Sequence, residues 1–344
     1  MTEAEGIVGE FKSLKRSSDA DLLSMQVGDF YEFFDEDAEI VGEELDLKTS
    51  KKSSGGTKYP MAGVPVAELT PYLKALVERG YRVAVADQRE TDSGHVREIE
   101  RVATPGTLLE TSDADARYVA AVVDGAGTRS RDDDAYGLAF ADVTTGRFYV
   151  TGVDGDDPRG SALTELYRFD PVEVLPGPSV REDDELVGTI RDRTGATPTL
   201  FDAEAFASGA AERALREQFG AETVDSVGVE SDAAIRAAGA VVAYVEETGT
   251  GVLASMTRLQ RYRDADHVEL DATTQRNLEL TETMQGDRSG SLYDTIDHTV
   301  TSPGGRLLKE WLQRPRRSRD VLERRQTSVD ALTAAALARE ELRE

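Results

Sequence analysis

The sequence predicts a multidomain protein, mixed α/β over most of its length and all-helical at its end. Three observations predict this class. Strand-like and helix-like apolar spacings alternate as far as residue 252. From Asp271 onward the apolar spacing is helical only. The chain has 344 residues, more than one hydrophobic core serves well, so two or three domains are expected. The divisions expected are 1–112, 113–252 and 253–344.

Glu10 to Ser24 is expected to be helical on the spacing of Phe11, Leu14, Leu22 and Leu23. A Gly28-Asp29 turn follows and leads into Phe30-Tyr31-Glu32-Phe33-Phe34, which holds four of the chain's 22 aromatic residues. Asp35 to Leu45 reads as a helix with Ala38, Val41 and Leu45 on one face. Lys48 to Lys58 reads as a Gly/Ser-rich loop that carries four of the eight lysines and no acid. Tyr59 to Pro65 is punctuated by Pro and Gly and reads as turns. Leu69 to Arg79 is an amphipathic helix closed by Gly80. Tyr81 to Ala86 and Val96 to Val102 are strands, the second closed by Thr104-Pro105-Gly106-Thr107.

Tyr118 to Val123 opens the middle region as a buried strand, and residues 125–134 form an acid-rich turn. Tyr136 to Val143 and Arg147 to Val150 make a hairpin around Thr144-Thr145-Gly146. Ser161 to Phe169 is a helix with Leu163, Leu166 and Tyr167 inward, and Val172 to Leu175 a short strand. Residues 176–200 read as acidic loop. Ala203 to Phe219, Asp232 to Glu247, Gly305 to Gln313 and Ser318 to Glu344 carry helical spacing.

No apolar run reaches the ~18 residues that cross a bilayer, and the first residues do not form a signal peptide, so a cytoplasmic protein without membrane contact is expected. The absence of Cys excludes disulfides and thiolate metal sites, and His95, His267 and His298 are too isolated for a zinc site. Net charge is −26, with 32 Arg against 8 Lys, a balance that resembles a halophile's proteins. So acidic a chain repels nucleic acid. The charge is uneven, however: −9 over residues 1–112, −16 over 113–252 and −1 over 253–344. Both ends therefore remain able to approach a polyanion.

The aromatic cluster beside the lysine loop has the parts a DNA contact needs. An apolar side chain can wedge between base steps, and lysines can hold phosphates. One of the four aromatics is the candidate wedge, Phe33 and Phe34 are candidate core, and the loop lysines Lys48, Lys51, Lys52 and Lys58 are candidate phosphate contacts. Arg314, Arg316, Arg317 and Arg319 form a second basic cluster, which reads as an Arg-rich helix end.

Six stretches resemble the N-terminal part of the MutS family of DNA mismatch-repair proteins, its haloarchaeal members above all. They are Gly28–Phe34, Pro60–Pro65, Thr104–Thr107, Asp142–Phe148, Asp271–Glu279 and Thr299–Leu312, in the family's order. The resemblance implies a mismatch-recognition domain, an RNase H-like connector and the start of a helical core and lever domain. It implies that Phe30 stacks on a mispaired base from the minor groove and that Glu32 hydrogen-bonds that base's edge, both side chains facing outward. It also implies phosphate contacts from Lys51, Lys52 and Arg97, with Arg101 a further basic position. The family's aromatic-His pair is Val66-Ala67 here.

The implied partner is double-stranded DNA with mismatches or small loops. The full-length family forms homodimers, uses ATP and Mg²⁺, and engages MutL-type repair partners, through the connector on this reading. No lysine of this chain follows a glycine, so it contains no Gly-x-x-x-x-Gly-Lys phosphate loop and is expected to bind no cofactor itself. Two other functions are open to it. The acidic middle domain could be a docking module for repair partners. Alternatively Asp142, with Asp124 near it, could hold Mg²⁺ for nuclease chemistry.

Overall fold

Leu22, Leu23, Ser24 and Met25 are all fully buried. A helix lying on a core buries one stripe, so four consecutive buried residues require a strand covered on both faces. The computed structural model places them in β1 (Leu22–Val27), and the first helix, α1, spans only Gly6–Arg16. The helix expected as far as Ser24 is thus corrected. The structure describes the chain except residues 1–5, 55–56, 92–93, 109–116, 126–134, 230, 249–250, 263–266, 269, 271, 336, 338 and 340–344. The turn expected at 126–134, Asp271 and the far end of the last helix lie largely or wholly outside the described residues.

The chain forms two compact units, Met1–Leu108 with Val242–Ala254, and Leu109–Val241 with Ser255–Glu344. In the first, β1 is central in a six-stranded sheet ordered β3-β4-β2-β1-β5-β6. The other strands are β2 (Phe30–Phe34), β3 (Ser50–Ser54), β4 (Thr57–Pro65), β5 (Val83–Thr91) and β6 (Gly94–Ala103). β1 runs parallel to β5, and the remaining neighbours are antiparallel. Helices α2 (Glu36–Glu44) and α3 (Leu69–Glu78) cover one face, where Tyr31, Phe33, Val41, Leu73 and Val85 share a core. Helix α1 covers the other face over Leu23, Met25, Phe34 and Ala86.

The lysine loop and the turn-rich segment after it are in fact a hairpin, β3 with β4. Pro60 fits because strand alternation asks it only for a carbonyl, which accepts the Asp35 N–H at 3.0 Å. Pro65 stands at the strand's end.

The second unit contains an antiparallel meander, β7 (Tyr118–Asp124), β8 (Tyr136–Asp142) and β9 (Arg147–Val153). β10 (Glu173–Pro176) joins β7 in parallel, β11 (Thr197–Pro198) joins β10, and β12 (Arg258–Arg261) joins β9. The order is β11-β10-β7-β8-β9-β12. Phe169, at the end of α4 (Pro158–Phe169), stacks on Phe140 at 3.8 Å between ring centroids, with Tyr118, Tyr149 and Tyr262 around it.

The expected loop at 176–200 contains α5 (Asp184–Thr194). Asp183 accepts the Leu186 N–H as N-cap, Gly195 closes the helix at φ +70°, and Leu186 and Ile190 are buried one turn apart. The expected helix 203–219 is a 3₁₀ turn followed by α6 (Ser208–Phe219). A further helix, α7 (Ala221–Val227), precedes α8 (Asp232–Glu247). The described helices after that are α9 (Ala272–Asn277), α10 (Leu292–Ile296), α11 (Ser302–Gln313) and α12 (Arg319–Ala334). None of the helices is long and apolar enough to cross a membrane among the described residues.

Gly137 on β8 lets α8 approach the sheet backbone. A Cβ there would lie 2.0 Å from the Ala233 carbonyl carbon. Gly137→Ala should therefore destabilise the second unit by roughly 1–3 kcal/mol, read as a lower denaturant midpoint.

Candidate nucleic-acid interface

β1 and β2 are joined by the two-residue turn Gly28-Asp29, with Val27 and Phe30 the last paired residues. Gly28 has φ +64°, a conformation that favours glycine at the first position of such a turn. Phe30 opens β2 with 47% of its surface exposed, whereas Tyr31, Phe33 and Phe34 are buried. Side chains alternate along a strand, so Phe30, Glu32 and Phe34 share one face. Phe34 is covered at one end by Phe11 of α1, ring edge to ring face at 5.2 Å. Phe30 stands uncovered at the other end. Gly63 lies opposite Glu32 on β4, and a Cβ there would touch both the Phe30 and Glu32 side chains at 3.9 Å. The two side chains thus flank a strip of bare backbone.

Glu32 is not outward as expected. It is 8% exposed, and Lys52 Nζ donates to its Oε2 at 2.5 Å. A carboxylate on a mostly apolar face needs a counter-charge, and Lys52 provides it while lying over the Phe34 ring at 5.5 Å. Lys51 points to the opposite face of β3 by the same alternation and is exposed, as are Lys48 and Lys58. The two lysines are therefore neighbours in sequence with different surroundings.

Arg97 also departs from expectation. Its side chain is only 9% exposed, and its guanidinium donates to Gln26 O at 2.6 Å, Glu10 Oε2 at 2.7 Å and Gln88 Oε1 at 2.7 Å. It is turned into the domain, with little of it presented to solvent. Arg101 is exposed. Tyr31 donates to Asp87 at 2.5 Å; burial first, and then that hydrogen bond, push its phenol well above the usual range, so it stays a neutral donor.

Arg314, Asp142 and His267 are held in the interior. Arg314 is buried with its guanidinium 3.9 Å from the centre of the Phe169 ring. Asp142 is buried and accepts hydrogen bonds from the N–H and hydroxyl groups of Thr144 and Thr145, which commits it to its own turn. No metal-holding group of three or more such side chains occurs among the described residues. His267 is buried and stacks on Tyr262.

Sequence reasoning missed Gln26 and Gln88, which border the Phe30 turn. Neither belongs to a motif, and only the pairing of distant strands brings them together.

This surface belongs to a chain matched by three family models, described as MutS domain I over residues 5–112, MutS domain II over 117–257 and MutS domain III over 273–344. The chain belongs to the MutS family of DNA mismatch-repair proteins. It is 66% identical over 346 residues to the DNA mismatch repair protein MutS 1 of Haloarcula marismortui, covering 100% of this chain and 37% of the relative. The MutS 1 of Halobacterium salinarum is 60% identical over 340 residues, 98% of this chain and 38% of the relative. The MutS of the bacterium Azorhizobium caulinodans is 38% identical over 352 residues, 98% of this chain and 37% of the relative. The chain thus spans less than two fifths of the length of these MutS relatives. The Phe30 hairpin lies in the MutS domain I match, and both Asp142 and Arg314 lie outside it.

Proposed function

We propose that this chain is the mismatch-sensing portion of a MutS protein and binds double-stranded DNA at mispairs or small loops. One observation carries the reading: Phe30 is the exposed aromatic of a cluster whose other three members are buried. Phe30 enters from the minor groove and stacks on the mispaired base. Unstacking costs a few kcal/mol, least where pairing is already defective, and a mispair also bends more easily. Glu32 then leaves Lys52 to accept a hydrogen bond from the base edge. Lys51, Lys48 and Lys58 lie near phosphates.

Residues 1–112 form the recognition domain, 113–252 the connector and 253–344 the start of the helical core. An RNase H-like connector is supported by the order β11-β10-β7-β8-β9, an antiparallel meander extended by parallel strands. Homodimerisation, ATP and Mg²⁺ use, and docking of a MutL-type partner on the acidic connector are carried to this chain from the full-length family only. These residues contain no Gly-x-x-x-x-Gly-Lys phosphate loop of their own.

Two substitutions test the assignment by equilibrium binding of paired and mispaired duplexes across a salt series. Lys51→Ala should weaken both duplexes alike and flatten the slope of log K against log salt by ~0.9, the loss of one phosphate contact. Glu32→Ala removes a negative charge and frees Lys52, so it should tighten paired-duplex binding and narrow the mispair preference. Weaker binding of the paired duplex by Glu32→Ala would remove Glu32 from the reading pair.

A further inference from the structure

Arg97, Gln88 and Gln26 form one network around the turn that carries Phe30. Gln88 and Arg97 face each other across β5 and β6. Gln88 Oε1 accepts from two donors, Arg97 Nη2 at 2.7 Å and the Gly28 N–H at 3.2 Å. The Gln88 N–H donates to Gln26 Oε1 at 3.0 Å, and Gln26 Nε2 donates to Gly28 O at 3.2 Å. Arg97 Nε donates to Gln26 O, and Nη1 closes the cluster on Glu10 of α1. The Gln26 amide is therefore fixed in orientation by partners at both ends, and the Gln88 amide by two donors that converge on its oxygen. Gly28 is gripped through its N–H and its carbonyl, and the next residue is held where the Val66 N–H donates to Asp29 O at 3.0 Å.

Glycine at the turn supplies the needed backbone conformation but no rigidity of its own. An exposed aromatic that must enter a base stack loses less free energy on binding if its backbone is already ordered. Of these groups, Arg97 supplies the charge-assisted hydrogen bonds, which are the stronger kind. Its side chain is nearly buried, and its donors are directed inward, so little of it is left for a phosphate.

From this we infer that Arg97, acting through Gln88 and Gln26, is a positioning residue that pre-orders the Gly28-Asp29 turn for Phe30, and is not a phosphate contact. The inference rests on the reading of Phe30 as the wedge.

The test uses the whole 344-residue chain. Arg97→Lys and Gln88→Ala are compared with the parent and with Phe30→Ala, for paired and G·T-mispaired duplexes over a salt series. Melting curves screen for variants that fail to fold; the two variants differ enough that one folded protein suffices. The expected result is a loss of mispair preference on the order of five- to tenfold, with an unchanged salt slope. In a Phe30→Ala background the same changes should cost nothing further, because they act through Phe30. Faster amide hydrogen exchange at Gly28 and Phe30 of the free variants should accompany them. Equal weakening of both duplexes with a slope flatter by ~0.9 would make Arg97 a phosphate contact and overturn the inference. Unchanged preference with unchanged exchange would overturn it as well, as would an additive loss in the Phe30→Ala background. Failure of the underlying reading is separate: the parent and Phe30→Ala would then discriminate equally, whatever the exchange rates show.

Discussion

Phe30→Ala should remove the preference of this chain for a mispaired over a paired duplex, while residual binding to the paired duplex survives. On the proposed reading the exposed ring replaces base stacking, worth ~1–3 kcal/mol per base, or roughly 5- to 150-fold in relative affinity. The lysines proposed to attract the backbone remain, so electrostatic binding should persist. Salt separates the two contributions. Phosphate contacts weaken steeply as salt rises, because counterion release no longer drives them, whereas stacking is much less sensitive. The preference of the parent should therefore outlast its total affinity as KCl is raised. The measurement is a competition titration of the two duplexes at several KCl concentrations. A Phe30→Ala chain that still prefers the mispair would show that the wedge lies elsewhere.

Phe33→Ala should do the reverse. Phe33 is completely buried between the sheet and helices α2 and α3, sharing that core with Leu73 and Val85. Truncating such a ring costs ~3–5 kcal/mol through lost burial and the cavity left behind. Phe30→Ala, by contrast, changes a half-exposed side chain and should move stability by less than about 0.5 kcal/mol. Denaturant titration of the first unit should thus give a much lower midpoint for Phe33→Ala and nearly the parental midpoint for Phe30→Ala. Two rings three positions apart on one strand would then be separated, one holding the fold and one meeting the ligand. Equal destabilisation by both substitutions would place Phe30 in the core.

The difference between these two rings was only partly legible in the sequence. Alternation along a strand puts Phe30, Glu32 and Phe34 on one face and Tyr31 and Phe33 on the other. It does not say which face is covered, or that α1 covers one end of a face and leaves the other open. Glu32 shows the same limit. Its partner Lys52 is twenty residues away, and only the register of β3, β4 and β2 brings the two together. Arg97 read as a free cation because its three acceptors come from α1, β1 and β5.

Some signals were present and outweighed. Asp183 and Gly195 are good helix caps around Leu186 and Ile190, yet the acidity of 176–200 suggested a loop. Leu22 and Leu23 fit a helical spacing with Phe11 and Leu14, and pairing with β5 decided for a strand. The strands Tyr118–Asp124 and Tyr136–Asp142 and helix α8 were plain, since each carries its own apolar pattern.

Photocrosslinking shows whether Phe30 itself enters the DNA at a mispair. A duplex carrying 5-iododeoxyuridine as one base of the mispair is irradiated with the 344-residue chain, and the crosslinked peptide is located by mass spectrometry. Crosslinking traps weak complexes, so high affinity is not required. The expected crosslink falls on Phe30 and is strong for the mispaired duplex, faint for the paired one and absent in Phe30→Ala. A mispair-dependent crosslink that maps to another residue and persists in Phe30→Ala would place the wedge elsewhere.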